Sequence, residues 1–139
     1  MRWQKNGPFY QLRLERGEEI LTTLTEFVHC RRLKSGVLFG LGAAENLRLG
    51  YYNLKQKRYL LRRFQGEYEL GSLVGNIAWV EREPVIHIHA VISNQRLTTY
   101  SGHLFAATVA ATCEIAIITG GKKVQRRLEP VSGLKLLAL

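Results

Sequence analysis

The chain has 139 residues, of which 46% are hydrophobic and 22% are charged, a composition typical of a globular protein with a core of its own. Its 20 lysines and arginines against 11 aspartates and glutamates give a net charge of +9, which favours polyanionic partners such as DNA. No apolar run approaches the roughly 18–20 residues of a membrane span, and the start lacks an apolar signal segment, so we expect one cytoplasmic domain over residues 1–139 that does not enter a membrane.

The first third of the chain contains the strongest helical pattern. Residues 9–14 alternate polar and apolar side chains, as in a β-strand. Residues 18–32 then carry apolar side chains at helical spacing, between an acidic start and a basic end that suit the helix dipole. We therefore predict one main helix over about residues 18–32, and we interpret His29 as a surface residue of this helix.

The remaining segments favour strands. Residues 35–44 read as a short apolar strand and turn whose glycines lack the spacing of a dinucleotide-binding motif and serve close packing or a bulge. Further extended segments are predicted over residues 47–52, 58–64, 67–80, 84–92, 97–100 and 114–119. Residues 104–112 fit either a buried helix or a strand, and residues 122–139 are a basic stretch with an apolar tail. This order predicts an α+β fold with a mostly antiparallel sheet.

Three of the four histidines lie close together in the sequence. His87 and His89 alternate with the apolar Ile86, Ile88 and Ala90, so both imidazoles face away from the core side of one strand. His103, on the returning strand, could join them. Three converging imidazoles predict a site for Zn²⁺ or another divalent transition metal with one coordination position open. The alternative is a buried, hydrogen-bonded cluster of neutral imidazoles without a metal.

Three charged residues are candidates for an outer layer around this site, namely Glu69, Glu114 and Arg96. A carboxylate beside a metal-bound imidazole would orient the ring. The two glutamates lie in otherwise apolar stretches, where a carboxylate is stable only when it is paired. A salt bridge or hydrogen bond to a basic residue is therefore the favoured interpretation of both.

The basic residues are grouped into four runs, which makes them candidates for contact with the DNA backbone. Solvated surfaces are the alternative, because none of the runs is a groove-reading motif and few aromatic residues are interleaved with them. The candidates are Arg31, Arg32, Lys34, Lys55, Lys57, Arg58, Arg62, Arg63, Lys122, Lys123, Arg126 and Arg127.

The order of the motifs resembles that of the PPC domain, the "plants and prokaryotes conserved" domain that is also called DUF296. The resemblance extends over about residues 10–137, and several motifs in the right order carry it. They are Gly17-Glu18-Glu19-Ile20-Leu21, residues 35–43, Leu49-Gly50-Tyr51-Tyr52, residues 64–76, His87-Ile88-His89, Gly102-His103-Leu104 and Thr112-Cys113-Glu114-Ile115.

The resemblance implies a compact α+β fold and a homotrimer. In land plants the domain follows AT-hook segments that bind DNA, while the domain itself mediates assembly and partner contacts, and stand-alone prokaryotic members are commonly labelled DNA-binding. Some members hold a metal at the histidine cluster, and the fold resembles that of alpha-acetolactate decarboxylase, a zinc lyase with three histidine ligands. This chain contains no Arg-Gly-Arg-Pro core of an AT-hook, so it resembles the stand-alone type.

Two local departures from the family pattern concern the candidate site. Ser101 stands where the family usually has the first glycine of Gly-Gly-His, and the turn at residues 93–96 lacks the usual carboxylate. The sequence therefore leads to one main hypothesis, a trimeric, DNA-associated or regulatory module with a three-histidine metal site, protein partners and no catalysis of its own. The alternative is a zinc-dependent lyase- or hydrolase-like enzyme acting on a small carbonyl or carboxylate substrate.

Overall fold

The computed structural model describes all 139 residues and contains eight strands and one helix. The elements are β1 (Arg2–Asn6), β2 (Phe9–Glu15), α1 (Ile20–Arg31), β3 (Ser35–Asn53), β4 (Arg58–Val80), β5 (Glu83–Ser93), β6 (Thr99–Gly120), β7 (Gln125–Glu129) and β8 (Leu134–Ala138). Every strand pair is antiparallel except β4 with β7. The predicted α+β class with a mostly antiparallel sheet is therefore confirmed.

Four long strands close on one another. Strand β3 pairs with β4, β4 with β5, β5 with β6, and β6 returns to pair with β3. The second half of β6 also pairs with β2, which carries β1 at the outer edge. Strand β6 thus belongs both to the closed set of β3, β4, β5 and β6 and to the set that it forms with β2 and β1. It therefore brings residues from opposite ends of the sequence side by side.

Helix α1 begins after Glu19 because the side chain of this residue accepts a hydrogen bond from a backbone N–H group that has no acceptor within the helix. Its Oε2 accepts a hydrogen bond from the backbone N–H of Thr22 at 2.7 Å, and its Oε1 accepts one from Ala107 of β6 at 3.1 Å. The helix ends at Arg31, since Arg32 adopts a left-handed conformation. The helix is therefore slightly shorter than the predicted 18–32 and is neither long nor apolar enough to cross a membrane.

One hydrophobic core of 25 buried residues joins α1 to the inner faces of β2 to β6. The helix contributes its buried stripe, Ile20, Leu24, Phe27 and Val28. On β5, Ile88, Ala90 and Ile92 are fully buried while the residues between them face outward. The alternation predicted around the histidines is therefore confirmed, and the imidazoles lie on the outer face of the sheet.

The glycine-containing residues 35–44 belong to one continuous strand, not to the short strand and turn that the sequence predicted. Strand β3 runs from Ser35 to Asn53 and changes register between Gly40 and Gly42, which is the bulge expected of these glycines. A Cβ on Gly42 would lie 2.2 Å from the carbonyl oxygen of Thr112 on the neighbouring β6. Residues 104–112, predicted as a helix or a strand, are part of β6.

The basic stretch and apolar tail after residue 121 form a β-hairpin, β7–β8, which the sequence analysis did not predict. It is joined to β4 at one end, where the backbone N–H of Trp79 donates to the carbonyl oxygen of Val124 at 2.9 Å. At its turn, the hydroxyl of Tyr52 donates to the carbonyl oxygen of Ser132 at 2.7 Å. The hairpin therefore reaches from the end of β4 to the β3–β4 turn.

Candidate metal centre

The strand register places three histidines together. His87 and His89 lie two residues apart on the outer face of β5, and His103 of β6 is the direct partner of His89. Their candidate ligand nitrogens all lie within 4.8 Å of one another, and the ring centroids are 4.9–5.6 Å apart. Tetrahedral zinc with bonds of about 2.1 Å needs nitrogens about 3.4 Å apart, so metal binding would draw the three rings closer together.

The site favours the neutral form of its imidazoles. Burial and the positive charge of Arg126 lower the pKa of His87 from 6.5 to about 4. Burial, together with the neighbouring histidines and Arg126, lowers the pKa of His103 to about 4 as well. Only the neutral ring offers a lone pair to a metal, so the site is in its ligand form at neutral pH.

A metal ion fits the donor set on two further grounds. The Nδ1 atom of His103 is buried and has no hydrogen-bond partner within the chain, so one nitrogen of the cluster lacks a protein partner. Three imidazoles without a thiolate or carboxylate are a donor set suited to zinc and to similar transition metals. Such a set leaves a coordination position for a further ligand.

Aromatic side chains form one wall of the site. The ring of His103 lies 5.2 Å from the ring of Tyr59 and 4.6 Å from that of Phe105. Burial raises the pKa of the Tyr59 hydroxyl, which therefore stays neutral. Gly50 leaves the space for both rings, since a Cβ there would lie 2.5 Å from Phe105 and 3.0 Å from Tyr59.

Arg126 of β7 is a site residue that the sequence analysis assigned to DNA contact. Its Nη2 donates to Asn76 Oδ1 at 2.7 Å and to His87 Nδ1 at 3.1 Å, and its Nη1 donates to the carbonyl oxygen of Lys135 at 2.9 Å. Arg126 lies in no recognisable motif, and Asn76 ends the segment of residues 64–76 that carries the family resemblance without marking it as a site residue. They reach the histidines only because the hairpin folds back along β4, which local sequence patterns do not reveal.

The candidates for an outer layer lie elsewhere. Glu69 is exposed and pairs with Ser93, four residues beyond His89 on β5, or about 13 Å along the strand. Glu114 is exposed on the second half of β6, and Arg96 is exposed in the β5–β6 turn. None of the three makes a hydrogen bond with a histidine. The expected burial of the two glutamates is wrong, because both project from the outer face of the sheet.

The basic candidates are divided between separate parts of the surface. Those at residues 31–34 and 122–123 meet at one end of the molecule, where the Ser35 hydroxyl donates to the carbonyl oxygen of Lys122 at 2.7 Å. Lys55, Lys57 and Arg58 lie around the β3–β4 turn at another. Arg62, Arg63 and Arg127 are all exposed, and the guanidinium of Arg62 lies 4.9 Å from the centre of the Tyr100 ring.

The outer face of the sheet carries exposed apolar side chains next to the histidines. Val37, Phe39 and Leu41 of β3 and Val74 of β4 are between 47% and 59% exposed, and Val74 lies directly opposite His89. A groove of about 770 Å³ continues this face toward β1 and includes Glu114 but no histidine. The apolar face and the metal site are therefore neighbours.

The comparisons with known proteins agree with this fold. The model of the Plants and Prokaryotes Conserved (PCC) domain matches residues 1–120, and the chain belongs to this family. The sequence motifs indicated a resemblance to this same family, which was named there as the PPC domain. A search of curated proteins finds no match.

Solved structures extend the likeness over nearly the whole chain. A Bacteroides thetaiotaomicron protein named a "putative DNA binding protein" is 26% identical, with a TM-score of 0.95 over 99% of this chain and 96% of its own. A plant- and prokaryote-conserved protein from Pyrococcus horikoshii is 28% identical, with a TM-score of 0.88 over 99% and 94%. A metal-containing protein from Archaeoglobus fulgidus is 26% identical, with a TM-score of 0.88 over 100% and 99%.

Proposed function

We propose that the protein is a homotrimeric PCC-domain module of the cytoplasm that holds a divalent metal ion, zinc in the first instance, and associates non-specifically with DNA. The convergence of His87, His89 and His103 carries the proposal. The similar Archaeoglobus protein is named metal-containing, which supports it. A three-histidine ion supplies Lewis acidity at its open position and can also link structural elements.

Elemental analysis of the protein purified without chelator tests the metal site. We expect one zinc or similar ion per chain in the wild type and none in the double variant His87→Ala/His89→Ala. The matched control is His29→Ala, because His29 lies on α1 beside Glu83 and outside the cluster. Metal retained by the double variant, or lost equally from the control, would contradict the assignment.

The exposed apolar face supports assembly with further copies of the chain. A patch built from Val37, Phe39, Leu41 and Val74 is the kind of surface that a subunit contact covers. Because Val74 lies opposite His89, the contact would also shield the metal site from one side. The trimer implied by the sequence resemblance is the assembly we propose.

Light scattering after gel filtration tests the assembly. We expect the mass of a trimer for the wild type and a smaller species for Phe39→Glu, which places a charge in the patch. Tyr51→Glu is the control, since Tyr51 is also strongly exposed but lies near the β3–β4 turn. A monomeric wild type, or an unchanged mass for Phe39→Glu, would refute this contact.

The basic surface supports association with DNA. A trimer of this chain carries +27, three times the +9 of one chain, and the similar Bacteroides protein is named a "putative DNA binding protein". Without a groove-reading motif, binding would rest on phosphate contacts and fall steeply with salt. We expect a fluorescence titration to show that the protein binds duplex DNA at about 50 mM salt and binds it much more weakly at about 200 mM salt.

Two variants of equal charge change compare the basic ends. Lys34→Glu/Lys122→Glu alters the end near Ser35, and Lys55→Glu/Arg58→Glu alters the β3–β4 turn. The variant whose changes lie at the end that contacts DNA should weaken DNA binding, and reduce its salt dependence, more than the other double variant does. Absence of wild-type binding at the lower salt would end the DNA part of the proposal.

Arg126 favours a second candidate, a metal-dependent enzyme acting on a small carbonyl or carboxylate compound. A guanidinium beside an open metal position can hold a substrate oxyanion while the ion polarises a carbonyl. Nuclear magnetic resonance of a panel of 2-oxo acids and esters, incubated with metal-loaded protein, tests it. Equal rates for the wild type and for His87→Ala/His89→Ala would rule out this candidate.

A further inference from the structure

The hydrogen bond between Arg126 and His87 conflicts with metal binding. A guanidinium has donors only, so the Nδ1 of His87 must be the acceptor, and this is the single lone-pair nitrogen of a neutral imidazole. A metal ligated by His87 either takes this nitrogen or requires the other tautomer, in which Nδ1 carries the proton. In both cases the Arg126–His87 hydrogen bond has to break.

Arg126 then needs a new acceptor, and no acidic side chain is in reach. Arg126 makes no salt bridge in this chain, and its Nε is buried without a hydrogen-bond partner. The charged or titratable groups that act on His87 and His103 are Arg126 and the other histidines, with no carboxylate among them. A divalent ion would add to this positive charge, which is costly in a half-buried site unless an anion accompanies it.

We propose that the site binds a small carboxylate anion together with its metal, and that Arg126 is the residue that recognises the anion. This inference rests on the metal site proposed above. The anion occupies the position left open by the three histidines and accepts from the guanidinium the hydrogen bond that His87 releases. Metal and anion therefore bind with positive coupling.

Arg126 belongs to the β7–β8 hairpin, which lies beyond the residues 1–120 that the family model matches. The hairpin holds Arg126 through the carbonyl oxygen of Lys135 and through Asn76 of β4. These two acceptors keep the guanidinium at the site when the bond to His87 breaks. Anion recognition is therefore a property that this hairpin adds to the histidine cluster.

The test measures the affinity for Zn²⁺ by competition with a chromophoric chelator, with and without saturating acetate. In the wild type, acetate should tighten zinc binding about tenfold or more, the effect of one charge-assisted hydrogen bond. In Arg126→Gln, zinc should bind more tightly than in the wild type without acetate, and the effect of acetate should disappear. Arg127→Gln, which changes the exposed neighbour, should behave as the wild type.

The outcomes separate this inference from the metal proposal. If the wild type binds no zinc, the metal proposal fails. If zinc binds but acetate changes its affinity equally in the wild type and in Arg126→Gln, or not at all, the inference is wrong and the metal site stands. If Arg126→Gln does not fold, Arg126→Lys replaces it in the test, because lysine keeps the positive charge but lacks the planar donors of arginine. An acetate effect in Arg126→Lys as large as in the wild type would also overturn the inference.

Discussion

Acid should destabilise the metal-free protein through its half-buried histidines, His87 and His103. His87 and His103 have pKa values of about 4 in the folded state against an ordinary 6.5 in the unfolded chain. Between these values the unfolded chain binds more protons than the folded protein, so stability falls as the pH is lowered from 6.5 to 4. Above pH 6.5 both states are deprotonated, and this contribution is constant.

The expected size follows from proton linkage. A change in pKa from 6.5 to about 4 corresponds to a loss of about 2.6 kcal/mol per histidine between pH 6.5 and 4. Solvent near the site and the mutual effect of the two rings reduce this value. We therefore expect a loss of about 2–3 kcal/mol for the pair, well above the error of an unfolding measurement.

Urea unfolding of chelator-treated protein at pH 7 and pH 4.5 provides the assay. The double variant His87→Asn/His103→Asn cannot titrate in this range, so it should lose about 2–3 kcal/mol less than the wild type when the pH is lowered. Carboxylates that protonate at pH 4.5, such as Glu18 beside the N-terminal amine, affect both proteins equally and cancel. An equal loss of stability in the two proteins would refute the argument.

Two further substitutions test how the fold supports the site. Gly75→Ala should destabilise the protein by about 2–4 kcal/mol in urea unfolding and weaken metal binding, because the new Cβ would lie 2.2 Å from the carbonyl oxygen of His87. Gly121→Ala, where a Cβ meets nothing within 4 Å, should leave both properties unchanged. Glu19→Ala should cost about 1–2 kcal/mol, since it removes the helix cap and the hydrogen bond to Ala107, and unchanged stability would contradict that role.

Local sequence patterns predicted the parts of the fold that local physics controls. The helix follows from apolar spacing between an acidic start and a basic end, and the outward direction of His87 and His89 follows from strand alternation. The convergence of His103 was predicted because a short turn returns the chain beside β5. In each case, the residues that decide the structure are close together in the sequence.

Long-range contacts account for what was missed. Arg126 reaches His87 across 39 residues of sequence, through a hairpin whose composition looks like a basic tail. Strands β3 and β4 were each predicted as separate shorter strands, because their glycines and charged residues interrupt the apolar pattern. In the structure, β-bulges absorb these interruptions and the pairing of the two strands continues. Glu69 and Glu114 were expected to be buried, yet their strands have a solvent-facing side at those positions.

The attachment of the β7–β8 hairpin predicts how the site moves. His103 lies on β6 between Gly50 of β3 and His89 of β5, so its amide should exchange with solvent only when the sheet unfolds. The hairpin shares one ladder pair with the sheet, Trp79 with Gln125, and is otherwise held by side-chain hydrogen bonds such as those of Tyr52 and Arg126, so it should open more often. If the proposed metal and anion bind, brief openings of the hairpin would let them enter and leave while the three imidazoles remain in place.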